Sequence, residues 1–439
     1  LYLRGYNKKK KKVVSIRLIV GKKVKKIHVP QTRIILPFGG SAGLQAVAQP
    51  STASYAKLYY EVKNPKIATV SSKGKVTSLT AGSTQVTIYS KDGNAKKTVR
   101  IKVKEGTTRT TSKGTVQGTK SSDASTLIWY GIPYGQSTAG TNRWKAPQPV
   151  IPWSDTLNAA VPKSGAACYG DGENYNGTED CLYVNVYRPN TTDQNLPVMV
   201  YLHGGGNAAG TANIDFSKFV TTAKTVVVSV EYRLGAFGYL SHPALQTGTA
   251  EENSGNFTLL DIKAALQWTQ EEIGNFGGDA GNVTLAGFSA GARNVMLCMI
   301  SPQMQGLFHK IIAFSGGCNT CTPQQGEESA EEKLASILVK RGTYATKKKA
   351  LEYIRSADNA TVRDLFYSLT TAEVANMYQS SALRFDLFPQ GFNDGVVVPK
   401  EGFSVIASGN YNRVPVMLGS DATEFSSFAL KTDMAEAFS

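Results

Sequence analysis

Two textures of hydrophobic patterning divide the chain. Between residues 24 and 104, short runs alternate apolar with polar positions: VKKIHV, TRIILPF, LYYEVKN, KIATVSS, GKVTSLTAG, TQVTIYSKDG and KKTVRIKVKEG. Valine, isoleucine, threonine and tyrosine dominate these runs, and turn residues separate them at close spacing. Alternation of period two buries one face of a strand and wets the other, so this stretch predicts an all-β sandwich. The Asp92–Gly93 pair suits a tight hairpin. Beyond the polar stretch EGTTRTTS (105–112) the texture changes. LPVMVYL (196–202), TVVVSVEY (225–232), VTLAGF (283–288), KIIAFS (310–315) and VPVMLG (414–419) are apolar without alternation. Strands buried on both faces, in a parallel sheet covered by helices, have this composition. Between them, LLDIKAALQWTQEEI (259–273) places Leu259, Ile262, Leu266 and Ile273 on one helical face. GARNVMLCMI predicts a second helix that stops before Pro302. Strands alternating with helices predict α/β architecture. The expected organisation is therefore multidomain. Residues 1–23 are a linker or the tail of a preceding module, 24–105 an all-β domain, and 106–439 an α/β domain.

Charge follows the same division. The formal net charge is +15 over 439 residues. Residues 1–106 hold 23 Lys+Arg against 3 Asp+Glu, and the remainder holds 25 against 30. A basic module is thus joined to a mildly acidic one. The basic module is expected to adhere to an anionic cell-wall or surface polymer. Nucleic acid is disfavoured as a partner, because no stacking aromatics interleave with the lysines in a known module. No apolar run approaches the ~20 residues of a transmembrane segment. LYLRGYNKKKKK has no apolar core after its charges, so no signal peptide is visible and the N-terminus reads as a fragment start. The five cysteines include no pair of CxxC motifs, which argues against a zinc ribbon. No metal and no cofactor are expected.

Candidate chemistry centres on VTLAGFSAGARN (283–294). It sets Ser289 between Gly287 and Gly291, after an apolar strand and before an apolar helix. A glycine-rich turn with a bystander serine would share the pentapeptide but not that context. A strand-to-helix turn presents a nucleophilic serine, as in the GxSxG elbow. The second stretch, YLHGGGN (201–207), also leaves a buried strand. Its glycines let backbone N–H groups approach a developing oxyanion, an effect of about 3–4 kcal/mol per donor.

These motifs, taken with others in order, carry a family likeness. From about residue 108 to 439 the chain resembles the type-B carboxylesterases, which include the cholinesterases. RWKAPQP (143–149), EDCLYVNVYRP (179–189), YRLGAFGYL (232–240), GNFTLLD (255–261), FGGDAGNVTLAGFSAGA (276–292), DGVVVP (394–399) and VPVMLGSDATEF (414–425) carry it. NPKIATVSSKGKVTSLTAGSTQVTIYSKDG resembles the bacterial immunoglobulin-like group 2 domain. The likeness implies an immunoglobulin-like sandwich followed by a C-terminally incomplete α/β-hydrolase fold. It further implies a secreted or cell-surface, bacterial, Ser–His–Glu ester hydrolase working through an acyl-enzyme. Ser289 then matches the nucleophile. Gly205, Gly206 and Ala290 match the oxyanion-hole donors, and Glu424 the triad acid, with Asp421 a nearby rival. Cys181 matches a disulfide cysteine, for which Cys168 is the natural partner. Two departures stand out: Phe288 replaces the usual glutamate before the nucleophile, and Glu231 replaces the usual asparagine before YRLG.

The triad order in this fold is serine, acid, histidine. All four histidines (His28, His203, His242 and His309) precede Glu424. The catalytic histidine is therefore expected beyond residue 439, with both ends of the sequence truncated. The loop YGDGENYNGTED lacks the tryptophan that binds quaternary ammonium in cholinesterases, which argues against a choline ester. A short-chain acyl or aryl ester is the expected small-molecule substrate. Phe288, Phe385, Phe388 and Phe392 are candidate apolar walls that would serve equally as core. Cys318 and Cys321 are spaced for a tight loop disulfide, and Cys298 reads as a buried free thiol. The competing function is a non-catalytic, esterase-like surface binding or adhesion protein.

Overall fold

The computed structural model describes residues 2–17, 21–79, 82–91, 93–103, 106–170, 173–378 and 388–424. It divides into two units, Leu1–Thr108 and Arg109–Ser439. In the first unit the long strand Lys96–Val103 alternates as its sequence demands. Val99, Ile101 and Val103 are buried, while Arg100 and Lys102 are exposed. It pairs antiparallel with Gly82–Ser90, where Val86 meets Val99, and Gly82–Ser90 pairs antiparallel with Leu58–Val62. Arg33–Leu36 completes this sheet in parallel. Lys75–Ser78 pairs with both Ser41–Gly43 and Ala68–Val70 in a second sheet. Val76, Val86, Ile88, Val99 and Ile101 form the core of the unit. All seven runs predicted from alternation contain strands. Two further ones, Ser41–Gly43 and Val47–Gln49, carry no β-branched stripe and are set by their pairing partners. Tyr2–Tyr6 and Lys12–Arg17 form an antiparallel hairpin within the stretch read as a linker or tail. Asp92 of the expected tight turn lies outside the described residues; Gly93 there has φ +71°.

The second unit is organised by an eight-stranded sheet. In chain order its strands are β1 (Thr119–Lys120), β2 (Thr126–Pro133), β3 (Tyr183–Pro189), β4 (Leu196–Leu202), β5 (Val226–Val230), β6 (Gly278–Phe288), β7 (Lys310–Phe314) and β8 (Val416–Gly419). Their spatial order is β1-β2-β3-β5-β4-β6-β7-β8. Pairing is antiparallel through β3–β5 and parallel from β5 onward. The helices α1 (Ser217–Ala223), α2 (Phe257–Glu272), α3 (Ala290–Ile300) and α4 (Pro323–Lys340) follow the strands as the alternating pattern requires. Central β5 is buried at every position, matching its unbroken valine run. In β4, Met199 and Tyr201 are half-buried, packing toward Phe216 and Val220 of the α1 region. β8 departs from the expectation of two-sided burial. Among the described residues it pairs on one side only, with β7, and Val416, Met417 and Leu418 are 45%, 55% and 63% exposed.

Two buried ion pairs give the family motifs a physical meaning. Arg143 of RWKAPQP forks onto Glu179 of EDCLYV, with Nε–Oε2 at 2.8 Å and Nη2–Oε1 at 2.5 Å. Arg233 of YRLG forks onto Asp261 of GNFTLLD, with Nη2–Oδ1 at 2.6 Å. Such pairs specify which loops meet more than they stabilise them, yet losing one partner costs about 3–5 kcal/mol.

Candidate active site

Ser289 is the single residue between β6 and α3. Its backbone sits at φ +56°, ψ −119°, a region that a non-glycine residue occupies only under about 1–3 kcal/mol of strain. The flanking glycines are dictated by crowding. A Cβ on Gly287 would run into the backbone of Gly291, and one on Gly291 into the carbonyl of Leu202 at the end of β4. Small residues on both sides let β4, β6 and the start of α3 converge around the serine.

The loop leaving β4 faces this turn. A Cβ on Gly204 would lie 3.2 Å from the Ser289 Cβ and 3.0 Å from the Phe288 carbonyl oxygen, so glycine is needed for the approach. Gly205 and Gly206 follow at φ +117° and +68°. Among the described residues, the N–H groups of Gly205, Gly206 and Ala290 donate to no protein acceptor. That leaves three open donors around one serine, and Ala290 adds the positive end of α3. The loop is pinned from behind by a buried amide network. Asn207 Nδ2 donates to Gln390 Oε1 at 2.6 Å and to Asn294 Oδ1 at 3.1 Å, and Asn294 Nδ2 returns a bond to Asn207 Oδ1 at 2.8 Å. The Tyr239 hydroxyl donates to Asn294 as well, at 3.0 Å.

Glu424 reaches the same cleft from the loop after β8. Its Oε1 accepts from the Asp421 amide at 2.9 Å, and its carboxylate also accepts from the Ser315 hydroxyl. Ser315 and then the Asp421 amide hold this carboxyl below the usual glutamate range. Asp421 thus contributes its backbone to Glu424. Ser289, Gly205, Gly206, Ala290, Ser315 and Glu424 all line one cleft of about 750 Å³. Phe288, at the position where the family usually has glutamate, is 48% exposed and forms an apolar part of the wall. Phe388 and Phe392 are core instead: Phe388 stacks on Tyr378 at 4.5 Å, and Phe392 packs edge-on to Tyr239. Phe385 lies outside the described residues.

Among the described residues, no histidine hydrogen-bonds the Ser289 side chain. His28 belongs to the first unit. His309 Nδ1 accepts from the Val283 amide at 3.2 Å. Val283 precedes Ser289 by six strand residues, so His309 lies on the order of 20 Å down the sheet. His242 Nδ1 caps the turn Pro243–Leu245 by accepting from Ala244 N at 3.0 Å. His203 borders the cleft, but its ring stacks on Tyr232 at 4.4 Å and its Nδ1–H donates to the Gly204 carbonyl at 2.9 Å. Its Nε2 faces Glu231 Oε1 at 3.7 Å, beyond hydrogen-bond reach, and is otherwise unpartnered. Burial pushes the His203 pKa down, against the opposing pull of Glu231. We regard the pair as a neutral imidazole beside a carboxylate rather than a salt bridge. Glu231 is satisfied elsewhere, accepting from Ala166 N, Thr211 Oγ1 and Ala212 N at 2.9, 3.0 and 2.7 Å. The replacement of asparagine at this position therefore stitches neighbouring loops together.

The cysteines depart from the implied pairing. Cys168 and Cys181 are separate free thiols: Cys168 sits in a two-stranded hairpin opposite Asn176, while Cys181 is buried in the interior. Burial, reinforced by nearby Asp261 and Glu231, raises the Cys181 thiol well above its ordinary value. Cys318 and Cys321 are free as well, and Cys298 is a buried thiol on α3. Among the described residues, His242, Glu327 and Glu331 bring ligand-type atoms within 4.8 Å of one another. His242 Nδ1 already accepts from Ala244 N, and Glu331 already accepts from Arg355 Nε at 2.7 Å, so two of the three groups have protein partners.

Sequence reasoning missed Ser315, Arg293 and the Asn207–Asn294–Gln390 network. Ser315 was signalled by its place at the end of KIIAFS, the strand beside the elbow, and Arg293 by its position one helical turn after the nucleophile.

Comparison with known proteins agrees with this geometry. The sequence model described as carboxylesterase family matches residues 105–438, and that of the bacterial Ig-like domain (group 2) matches residues 23–101. The para-nitrobenzyl esterase of Bacillus subtilis (strain 168) is 35% identical over 324 residues, covering 72% of this chain and 62% of its own length. Carboxylesterase 1F of Mus musculus is 32% identical over 316 residues, covering 68% and 54%. Among solved structures, a PNB esterase superposes with a TM-score of 0.62 at 33% identity, covering 73% of this chain and 64% of its own. The Geobacillus stearothermophilus carboxylesterase also gives 0.62, at 25% identity, covering 76% and 66%. The chain thus spans less than two thirds of the curated relatives it matches. With an N-terminal bacterial immunoglobulin-like domain preceding it, the α/β unit bearing Ser289 makes this chain a member of the carboxylesterase family.

Proposed function

We propose that this protein hydrolyses carboxylic esters, with Ser289 as nucleophile. The observation that carries the reading is the strained Ser289 turn set against three open backbone donors, with Glu424 in the same cleft. Ser289 Oγ attacks the ester carbonyl carbon as its proton passes to a histidine. The carbonyl oxygen takes up negative charge and is received by the N–H groups of Gly205, Gly206 and Ala290. Collapse of the tetrahedral intermediate breaks the ester C–O bond, and the alcohol leaves with the proton held by the histidine. Water, activated by the same base, then attacks the acyl-serine and releases the acid. Glu424 orients the imidazole and stabilises its charged form, the acid's role in such triads.

His203, His242 and His309 have other partners, and relatives of this family extend further. The reading therefore takes the base from chain beyond residue 439. The sequence lysines of the first unit support attachment to an anionic surface polymer outside the cell. The deciding experiment is labelling of the full-length protein with a fluorophosphonate, which requires an activated serine. Labelling that maps to Ser289 and parallels turnover of 4-nitrophenyl acetate is expected. A full-length protein that folds but neither labels nor turns over would leave a binding role in its place.

A further inference from the structure

Arg293 lies on α3 four residues after Ser289, just over one helical turn or about 6 Å along the axis, and lines the same cleft. Three other arginines of this unit with buried heads are filled. Arg143 forks onto Glu179 and Arg233 onto Asp261, while Arg188 donates to the carbonyls of Pro189, Phe276, Thr191 and Asp193. Arg293 differs. Its side chain makes no hydrogen bond or ion pair among the described residues, and its Nε is a buried donor without a partner. A guanidinium offers five N–H donors and no means of losing its charge, so partial burial without an anion is costly.

The head lies beside the glycine backbone that follows Ser315. A Cβ on Gly317 would meet Asn319 Oδ1 at 3.0 Å and stand in ordinary contact with Arg293 Nη2 and Nε, at 3.4 and 3.5 Å. A Cβ on Gly316 would press on Ala292 and the Arg293 amide, so Gly316 lets this segment approach the start of α3. Burial lowers its pKa from the ordinary arginine value, with only Tyr239 and Cys321 opposing.

We propose that Arg293 is a specificity-determining residue that receives a free carboxylate carried by the ester, so that the cleft selects anionic esters such as dicarboxylic acid half-esters. A planar carboxylate matches the guanidinium fork. The backbone positions of Ser289 and Arg293 are about one helical turn apart and both side chains line one cleft, so a short ester carrying its own carboxylate, such as a succinate half-ester, is the substrate class to test. The inference rests on the ester hydrolase reading and refines it.

The test compares kcat/KM of the full-length protein for monoethyl succinate and ethyl butyrate, by proton release. 3-Acetoxypropanoate and propyl acetate test a carboxylate on the alcohol side. The wild type should prefer the anionic member of at least one pair. Arg293→Met should lower that anionic-to-neutral ratio about 10- to 100-fold, the effect of losing a charged hydrogen-bonded partner, and chiefly through KM. Arg293→Lys should restore part of it. The ratio is independent of the fraction of variant that folds. Ratios unchanged by Arg293→Met in both pairs would overturn the inference, as would equal losses on both members of each pair. Calorimetric titration of Ser289→Ala with N-ethylsuccinamate separates the two readings. Arg293-dependent binding without any ester turnover would sink the hydrolase reading alone. Ester turnover without an Arg293-dependent preference would sink this inference alone.

Discussion

The amide of Ser289 donates a 2.8 Å hydrogen bond to the carbonyl of Phe314, tying the nucleophile turn to the end of the neighbouring strand. The next residue along that strand is Ser315, held at φ +53°. Its amide bonds the Gly419 carbonyl at 2.8 Å, and its hydroxyl bonds Glu424. Ser289 and Glu424 are thus positioned from one point, the C-terminal end of β7.

That arrangement ranks the acid substitutions. Glu424→Gln removes the charge that supports the imidazolium and should lower kcat by roughly 10⁴-fold in full-length protein, the size seen when a triad acid is neutralised. Asp421→Asn keeps the amide that Glu424 uses and should cost far less. Ser315→Ala removes one hydrogen bond to the carboxylate, so the Glu424 pKa should rise and kcat fall by about 10-fold. Ester assays of the three variants test the order. A greater loss from Asp421→Asn than from Glu424→Gln would move the acid to Asp421.

Ser289 itself offers a contrast between activity and stability. Ser289→Ala and Ser289→Gly should both abolish covalent turnover. Glycine is free of the penalty at φ +56°, so Ser289→Gly should be more stable than Ser289→Ala by about 1 kcal/mol. Urea unfolding measures the difference. Equal stabilities would show that the turn carries no strain for the serine to hold.

The fold was legible where burial pattern and period agree. The valine run of β5 is buried throughout, and the alternating strand Lys96–Val103 has the wet and dry faces its sequence spells. The motif likeness placed Ser289, the glycine loop and Glu424, and the structure brings these into one cleft. β8 is exposed because, among the described residues, it pairs only with β7, and an apolar run carries no record of how many neighbours its strand has. The Asn207–Asn294–Gln390 network stayed hidden because its members are separated by 87 and 183 residues along the chain. No local period links them; only the packing of the glycine loop onto α3 does.

Stability of the carboxylesterase unit should fall on acidification, for a reason the histidines make explicit. Burial depresses the pKa of both His203 and His242 from the ordinary 6.5. Below 6.5 the unfolded chain takes up protons that the folded protein resists, so the unfolded state binds more protons in that window. Stability from this source is complete above 6.5 and is lost as pH falls toward the depressed folded values. Denaturant midpoints measured from about pH 8 to about pH 5 should decline below 6.5. His242→Asn, which keeps an N-cap acceptor for Ala244, should shallow the decline. Midpoints that stay level in the wild type would contradict the buried neutral state.

The immunoglobulin-like unit gives the last prediction. Alternation that buries Val76, Val99 and Ile101 turns Lys75, Arg100 and Lys102 outward, so the positive charge is displayed rather than neutralised. Arg33, Lys63, Arg100 and Lys102 surround one groove of about 610 Å³ on this unit. Four cations around a groove suit a chain of repeated negative charges better than a single small anion. Residues 24–105, produced alone, should bind a phosphate-rich wall polymer in low salt. The attraction acts between exposed charges, and its range shrinks from about 10 Å at 0.1 M salt to about 3 Å at 1 M. Binding should therefore vanish across that range, and replacing the four groove cations with glutamine should weaken it more than replacing four exposed lysines outside the groove, Lys25, Lys26, Lys66 and Lys73. Sedimentation with the insoluble polymer provides the measurement. Retention that is indifferent to salt, or equal losses from the two sets of substitutions, would take the groove out of the interaction.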